Sequence, residues 1–183
     1  TTDDPVDTLE WHEKIAADPT IEVKVCPSFR PDKAINIQKP GFAAYLKELA
    51  ESVGKESLAS VEEVCAALVE RLEFFVKMGC RASDHGLDYI MYRPCSSQEA
   101  SAAYQKALNG ETLSVEEAEG YQTILLLCLA KAYHRLGVVM QLHYNAMRNP
   151  NSRMFAAMGA DTGFDCMNSL NCIPALYAFL DAL

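Results

Sequence analysis

The stretch Gly137-Val-Val-Met-Gln-Leu-His143-Tyr-Asn-Ala-Met-Arg148-Asn contains an apolar run that follows a long helical pattern and ends in a histidine. Such a run predicts a buried strand. In α/β proteins with parallel strands, the ligand site lies at the carboxyl ends of the strands. His143 and Arg148 are therefore candidate functional residues. The alternative is a histidine of the core next to an arginine on a helix surface.

An earlier part of the chain has the same layout. Ser60-Val-Glu-Glu and Ser114-Val-Glu-Glu are capping-box patterns, and the helical segments that they open end at Gly79 and Gly137. A histidine follows each glycine after six residues, at His85 and at His143. The sequence therefore predicts two helix-then-strand units of similar construction.

A third strand is predicted at 21–26, where apolar and polar residues alternate after a helical segment at 8–17. Residues 147–163 are rich in turn-forming side chains and are predicted to form an ordered loop. The 3.6-residue period predicts five further helices, at 42–52, 61–77, 98–108, 115–136 and 174–182.

Alternating helices and strands predict the α/β class with a parallel sheet. No glycine-rich phosphate turn follows a strand, which disfavours an open dinucleotide-binding sheet. Polar residues at several strand ends favour a (β/α)₈ barrel of the TIM type, which takes about 250 residues. The sequence thus predicts a helix-rich part of such a barrel, with about four central βα units, as one domain over residues 1–183.

Composition narrows the classes of function. The net charge of -9 argues against a nucleic-acid partner, which needs clustered Lys and Arg. The seven cysteines include no CxxC pair, which is typical of reduced intracellular proteins. The longest apolar run, at 124–130, is too short to cross a membrane. We therefore expect a cytoplasmic protein that binds neither nucleic acid nor membrane.

Four groups of residues occur in a distinctive order: Phe29-Arg30-Pro-Asp-Lys-Ala; Gly79-Cys-Arg-Ala-Ser-Asp84-His85-Gly-Leu; Met140-Gln-Leu-His143 with Ala146-Met-Arg148-Asn; and Asp161-Thr-Gly-Phe-Asp165. In this order the chain resembles the uronate isomerase (glucuronate isomerase) family of the amidohydrolase superfamily over nearly all its length. The resemblance implies a distorted barrel of the metal-dependent-hydrolase type. It also implies interconversion of D-glucuronate with D-fructuronate, and of D-galacturonate with D-tagaturonate, by the full-length enzyme.

The resemblance also suggests roles for particular residues. Arg30 and Arg148 are expected to bind the substrate carboxylate and neighbouring hydroxyls, because a guanidinium group matches two oxygens at once. His143 and Arg148 are the expected catalytic residues, and His143 is further expected beside the metal, as a weak ligand or as a polariser of the substrate carbonyl. Asp84 and His85 are candidates for supporting these groups. For each arginine the alternative is a surface salt bridge.

Two residues depart from the family pattern around this motif: Pro150 stands where the family tends to have asparagine, and the other is Asn145. Asn145 stands where the family usually has glycine, and asparagine also tolerates the left-handed conformation. The turn after His143 is therefore expected to persist.

The implied cofactor is a divalent metal, with zinc expected. Its principal ligands in the family, a His-x-His and an aspartate, have no counterpart in this sequence. We expect the segment alone to be inactive, and to need the rest of the barrel or to form a homo-oligomer. Two other functions stay open: a metal-dependent hydrolase on the same scaffold, and a non-catalytic helical interaction module.

Overall fold

The computed structural model describes all residues, 1–183, and contains eight helices and six short strands. The helices are α1 (Glu10–Ala17), α2 (Asp32–Ile35), α3 (Phe42–Ser52), α4 (Val61–Lys77), α5 (Ser97–Leu108), α6 (Val115–Leu136), α7 (Ser152–Met158) and α8 (Ile173–Asp181). The strands are β1 (Thr2–Asp3), β2 (Ser28–Phe29), β3 (His85–Leu87), β4 (Leu142–Tyr144), β5 (Ala146–Met147) and β6 (Cys166–Met167).

The first four strands are arranged in parallel and in chain order. β1 pairs with β2, and β3 pairs with β4. A parallel bridge from Phe29 to Ser83 joins the two pairs, and a second, from Ala82 to Val139, extends the pairing of β3 and β4 towards the preceding residues. Helices lie between successive strands, which confirms the predicted helix-rich α/β class. β5 and β6 form a separate antiparallel pair.

The predicted helices at 42–52, 61–77 and 115–136 are confirmed as α3, α4 and α6, and those at 98–108 and 174–182 shift by one residue to α5 and α8. The predicted capping box of α6 is present, with Ser114 and Glu117 each bonding to the other's backbone N–H. At α4, Ser60 accepts a bond from the Glu63 N–H, but the Glu63 carboxylate accepts from the Ala59 N–H instead. The first turn is satisfied in either case.

Two local predictions are wrong. Residues 21–26 form no strand, because the chain pairs with β1 only at Ser28–Phe29. Ile21 and Val23 are consequently exposed, at 42% and 73%, so alternation of apolar residues here does not mark a buried face. The predicted loop at 147–163 contains α7, whose first turn is capped by the Asn151 side chain. Asparagine was counted as a turn former, but it is also a preferred helix cap.

The main core packs the long helices against the strands and fixes the position of β2. Phe29 is fully buried and meets the rings of Phe75 and Tyr133 edge-on, with ring centroids 5.1 Å and 6.4 Å away. Edge-on aromatic contacts are directional, so Phe29 has little freedom. The next residue, Arg30, therefore leaves the core from a fixed backbone position.

None of the helices has both the length and the apolar character needed to cross a bilayer.

Candidate functional site

The register between β3 and β4 decides which side chains share a face. His85 lies opposite Leu142, and Gly86 lies opposite His143. Since side chains alternate along a strand, Asp84 and Gly86 share the face of His143, whereas His85 points to the other side. The equal spacing of the two histidines from their glycines therefore does not give them equal positions.

Four polar side chains meet on this face. Arg30 and Asp32 follow β2, Asp84 directly precedes β3, and His143 lies in β4. Arg30 Nε donates to Asp32 Oδ2 at 2.9 Å. Arg30 Nη1 lies 3.4 Å from Asp84 Oδ2, and Arg30 Nη2 lies 3.5 Å from His143 Nε2. His143 Nδ1 lies 2.7 Å from Asp84 Oδ1. We call Arg30, Asp32, Asp84 and His143 the polar cluster.

Gly86 leaves the space that the polar cluster fills. A Cβ atom at this position would lie 2.5 Å from Arg30 Nη2, 2.7 Å from His143 Nε2 and 2.9 Å from Asp32 Oδ2. Carbon atoms do not approach polar atoms that closely, so any larger residue would displace these three side chains. A glycine within a strand often marks such a close approach.

The Asp84 carboxylate is nearly enclosed and only partly paired. Its Oδ2 accepts a hydrogen bond from Thr2 Oγ1 at 3.2 Å and faces Arg30. Its Oδ1 is close to His143 Nδ1, yet this contact lacks hydrogen-bond geometry, and the oxygen is buried without any hydrogen bond. A buried carboxylate oxygen of this kind attracts positive charge. Asp84 thereby draws both Arg30 and His143 towards it.

In the polar cluster, the side chains that carry nitrogen are more exposed to solvent than the carboxylates. The side chains of Arg30 and His143 are 34% and 39% exposed, against 18% for Asp32 and 11% for Asp84. Burial raises the pKa of Asp32, although Arg30 and the Gly86 amide act in the opposite direction. Burial alone would lower the pKa of Arg30, but its hydrogen bond with Asp32 and the nearby carboxylate charges leave that pKa raised. The accessible surface of the cluster can therefore accept an anion.

His85 lies in the core, outside the polar cluster. It is fully buried, its Nε2 lies 3.1 Å from the Tyr133 hydroxyl, and its Nδ1 has no hydrogen-bond partner. Burial lowers its pKa to about 3, and the charge of Asp84 opposes that change. Direct support of the site by His85 stays a prediction, and no hydrogen bond joins it to the cluster.

Arg148 is also separate from the polar cluster. It extends from the β5 end, where it forms an ion pair with Asp165, whose other oxygen accepts from the Asn149 N–H at 3.0 Å. No hydrogen bond or ion pair links Arg148 to Arg30 or His143. Asn145 adopts the left-handed conformation, with φ of 63°, and so confirms the expected turn after His143.

Sequence reasoning missed the part that Asp32 and Gly86 play in this arrangement. Neither Asp32 nor Gly86 is among the candidate site residues predicted from the sequence. A glycine inside a strand and next to Asp84 and His85 was a usable signal, because it indicates that other groups pack close to the backbone.

The residues present do not form a metal centre by themselves. No group of three or more His, Cys, Asp or Glu side chains is arranged to hold a metal ion. In the polar cluster, the Arg30 guanidinium faces Asp32, Asp84 and the Nε2 atom of His143. A cation at those atoms would meet a group that is already positive.

A cavity of about 440 Å³ opens on the outer side of Asp32, between α2 and α3. Its lining includes Lys33, Asn36 and Lys39, but neither Arg30 nor His143. It therefore lies beside the polar cluster and does not give access to the exposed nitrogen groups.

Comparison with known proteins gives a single family. The family model for glucuronate isomerase matches residues 1–183. Among curated relatives, the uronate isomerase of Lachnoclostridium phytofermentans is 48% identical over 183 residues, which are 100% of this chain and 39% of that protein. The uronate isomerase of Geobacillus stearothermophilus is 43% identical over 100% of this chain and 38% of its own length.

Two solved structures have the same fold over this region. The uronate isomerase of Thermotoga maritima superposes with a TM-score of 0.91 at 33% identity, covering 99% of this chain and 40% of that chain. The glucuronate isomerase of Caulobacter crescentus gives 0.88 at 27% identity, covering 100% of this chain and 38% of that chain. The chain spans 39% of the length of the Lachnoclostridium phytofermentans uronate isomerase.

His85 is expected to stay neutral in the folded protein at mildly acidic pH. Its pKa falls from 6.5 to about 3 on burial, so the unfolded chain binds one more proton than the folded chain between these values. The free energy of unfolding contributed by this residue should therefore fall as the pH drops from 6.5 towards 3. A histidine-ring NMR titration of the labelled protein between about pH 7 and about pH 5 measures the protonation state of His85 directly.

The His85 signal is identified by its loss in the His85→Asn variant, and exposed His134 in α6 supplies a second assignment through His134→Asn. We expect the His85 signal to stay constant over this range. A His85 titration with its midpoint near pH 6.5 would show that the residue is hydrated in solution, contrary to the packing described.

Proposed function

The chain belongs to the glucuronate isomerase family, and we propose that the full-length protein interconverts D-glucuronate with D-fructuronate, and D-galacturonate with D-tagaturonate. The observation that carries the proposal is the polar cluster, in which Arg30, directly after β2, and His143, within β4, are the more exposed groups. Uronates combine a carboxylate with a carbonyl centre. The cluster offers a guanidinium for the former and an imidazole for the latter.

The domain that supports this site is proposed to be a partial (β/α)₈ barrel over residues 1–183, with about four central βα units. Four parallel strands in chain order, the first three each followed by one or more helices, support this proposal. Arg30 and Asp32 follow the carboxyl end of β2, which agrees with the position of barrel active sites.

Arg30 is proposed to bind the substrate carboxylate. The guanidinium has five N–H donors; its Nε–H is used by Asp32, and the Arg30 side chain as a whole is 34% exposed. A carboxylate can accept two parallel bonds from such a fork. Because two aspartates stand behind Arg30, they hold the guanidinium in place while its outer side stays accessible.

His143 is proposed to act at the reacting carbons. Isomerisation moves a proton from C2 to C1, and it develops negative charge on the substrate oxygens. With Nδ1 beside Asp84, Nε2 is the nitrogen that can exchange a proton with a substrate oxygen or polarise the carbonyl. Weak metal ligation by His143 also stays a prediction, and it would require Arg30 Nη2 to move from its position 3.5 Å away.

Arg148 is proposed to complete substrate binding and to stabilise the developing charge. It lies five residues after His143 in the chain, beyond the left-handed turn at Asn145. In the present arrangement it is paired with Asp165 and 39% exposed. To reach a substrate bound at Arg30 it has to leave this ion pair or share it, and exposed ion pairs of this kind are weak.

The remaining proposals concern the metal, the location and the assembly of the full-length enzyme. The full-length enzyme is proposed to bind a divalent metal, with zinc expected, through principal ligands that this chain does not contain; such an ion would act as a Lewis acid on the substrate oxygens. We further propose a cytoplasmic location and assembly as a homo-oligomer. No specific observation favours the hydrolase or the interaction-module alternative, and the relatives named above are isomerases.

Replacing Arg30 or Arg148 by alanine in the full-length enzyme should strongly reduce uronate turnover. Truncating one partner of a desolvated charge pair costs about 2–5 kcal/mol, which corresponds to a fall of about 30-fold or more in kcat/KM. Arg30→Lys should recover only part of the loss, since an ammonium lacks the planar fork. Steady-state formation of the keto acid from D-glucuronate measures the effect.

Arg153→Ala is the matched control, because Arg153 is an exposed arginine of α7 without an ion pair in the structure. It should keep normal kinetics. Normal kinetics in Arg30→Ala would remove the carboxylate role, and turnover of lactones or amides without keto-acid formation would replace isomerase by hydrolase activity.

The 183-residue chain alone is expected to be inactive with added zinc and to self-associate. Large apolar side chains of α8, among them Tyr177 at 75% and Ile173 at 64%, are exposed and would favour association. Light scattering and the keto-acid assay measure the two properties. A monomeric chain that turns over D-glucuronate would contradict both expectations.

A further inference from the structure

Asp32 connects two strands through a single carboxylate. Its Oδ2 accepts a bond from Arg30 Nε at 2.9 Å. The Gly86 N–H donates to Oδ1 at 3.2 Å and to Oδ2 at 3.1 Å. Gly86 in turn stands opposite His143 in the register of β3 and β4. The same carboxylate therefore ties the side chain of Arg30 to the backbone beside His143.

This carboxylate determines which N–H groups of Arg30 remain free. Of the five donors of a guanidinium, the Nε–H belongs to Asp32. Nη1 faces Asp84 at 3.4 Å, and Nη2 faces His143 at 3.5 Å. After these contacts about two N–H groups are left, one on each Nη atom. N–H groups on the two Nη atoms can together donate to both oxygens of one carboxylate.

The bare backbone of Gly86 is a second requirement for this orientation. The guanidinium, the imidazole and the Asp32 carboxylate all enter the space where a Cβ would stand, at 2.5 Å, 2.7 Å and 2.9 Å from it. These three atoms are the far ends of side chains, which can move, whereas the backbone of β3 is held by its parallel pairing. A methyl group here would thus move the polar cluster and leave the strand in place.

We propose that Asp32 is a positioning residue for substrate recognition: together with Gly86 it holds the Arg30 guanidinium so that the free N–H groups of Nη1 and Nη2 bind the carboxylate of a sugar acid. Asp32 itself touches no substrate atom. The inference rests on the proposed function and deepens it, because it assigns the geometry of carboxylate recognition to a residue two positions after Arg30. Without Asp32, Arg30 keeps its charge but loses its fixed orientation.

A double-mutant cycle in the full-length enzyme separates positioning from general structural support. Asp32→Asn should lower kcat/KM for D-glucuronate about 10- to 100-fold, as for residues that orient a binding group, mainly through a higher KM. In an Arg30→Ala background the same change should cost less than about threefold, because the group that Asp32 orients is already absent. Asp32→Glu should recover part of the activity, since it keeps the carboxylate.

Asp88→Asn is the control. Asp88 follows β3, the strand that contains Gly86, but its side chain is 46% exposed and its one ion pair is with Lys39. It should leave the kinetics unchanged. If Asp32→Asn does not fold, Gly86→Ala gives the decisive result: its thermal midpoint should stay within a few degrees of the wild type, while kcat/KM falls at least about tenfold.

Equal losses from Asp32→Asn with and without Arg30 would overturn the inference, and so would wild-type kinetics in Gly86→Ala. Either result leaves the proposed function standing as long as the wild-type enzyme forms the keto acid. A wild-type enzyme that forms none would refute the proposed function itself, and the positioning role with it.

Discussion

The register between β3 and β4 is the constraint on which the site depends. It sets glycine opposite His143, and the missing side chain at Gly86 is what allows a guanidinium, an imidazole and a carboxylate to occupy one small space. A shift of one residue would bring His85 to this face and send Asp84 into the core. The register is held by backbone bonds such as His85 N–H to Gln141 C=O at 3.0 Å, and by the burial of His85 itself.

Charge balance indicates that a bound uronate needs more positive charge than the polar cluster supplies. Two carboxylates, Asp32 and Asp84, face one guanidinium, so with a neutral imidazole the carboxylates outnumber the cations by one. A substrate carboxylate would add another negative charge. The proposed function therefore requires more positive charge near the bound uronate, and Arg148 together with a metal held by other parts of the full-length enzyme would supply it.

The sequence predicted the helices well and the strands poorly, for physical reasons. Helix α6 carries a cap, a long apolar period and a terminal glycine, all local signals. The strands are only two or three residues long, and their pairing depends on distant segments, so 21–26 resembled a strand without having a partner. Length and alternation of apolar residues cannot indicate whether such a partner exists.

The same distinction applies to the site. Arg30 and His143 were identified from strand ends and family resemblance, and the structure brings them together with Asp84. The different faces of His85 and His143 follow from pairing, which spacing along the chain does not reveal. Arg148 stays on a separate antiparallel pair with Asp165, an arrangement that depends on contacts between segments far apart in sequence.

The most direct test of this account is the structure of the full-length enzyme with D-glucuronate bound. We expect both carboxylate oxygens of the uronate to lie within about 3.2 Å of the two Nη atoms of Arg30, with Asp32 still bonded to Nε and to the Gly86 N–H. A uronate carboxylate bound by other residues, with Arg30 still facing only Asp32, Asp84 and His143, would contradict it.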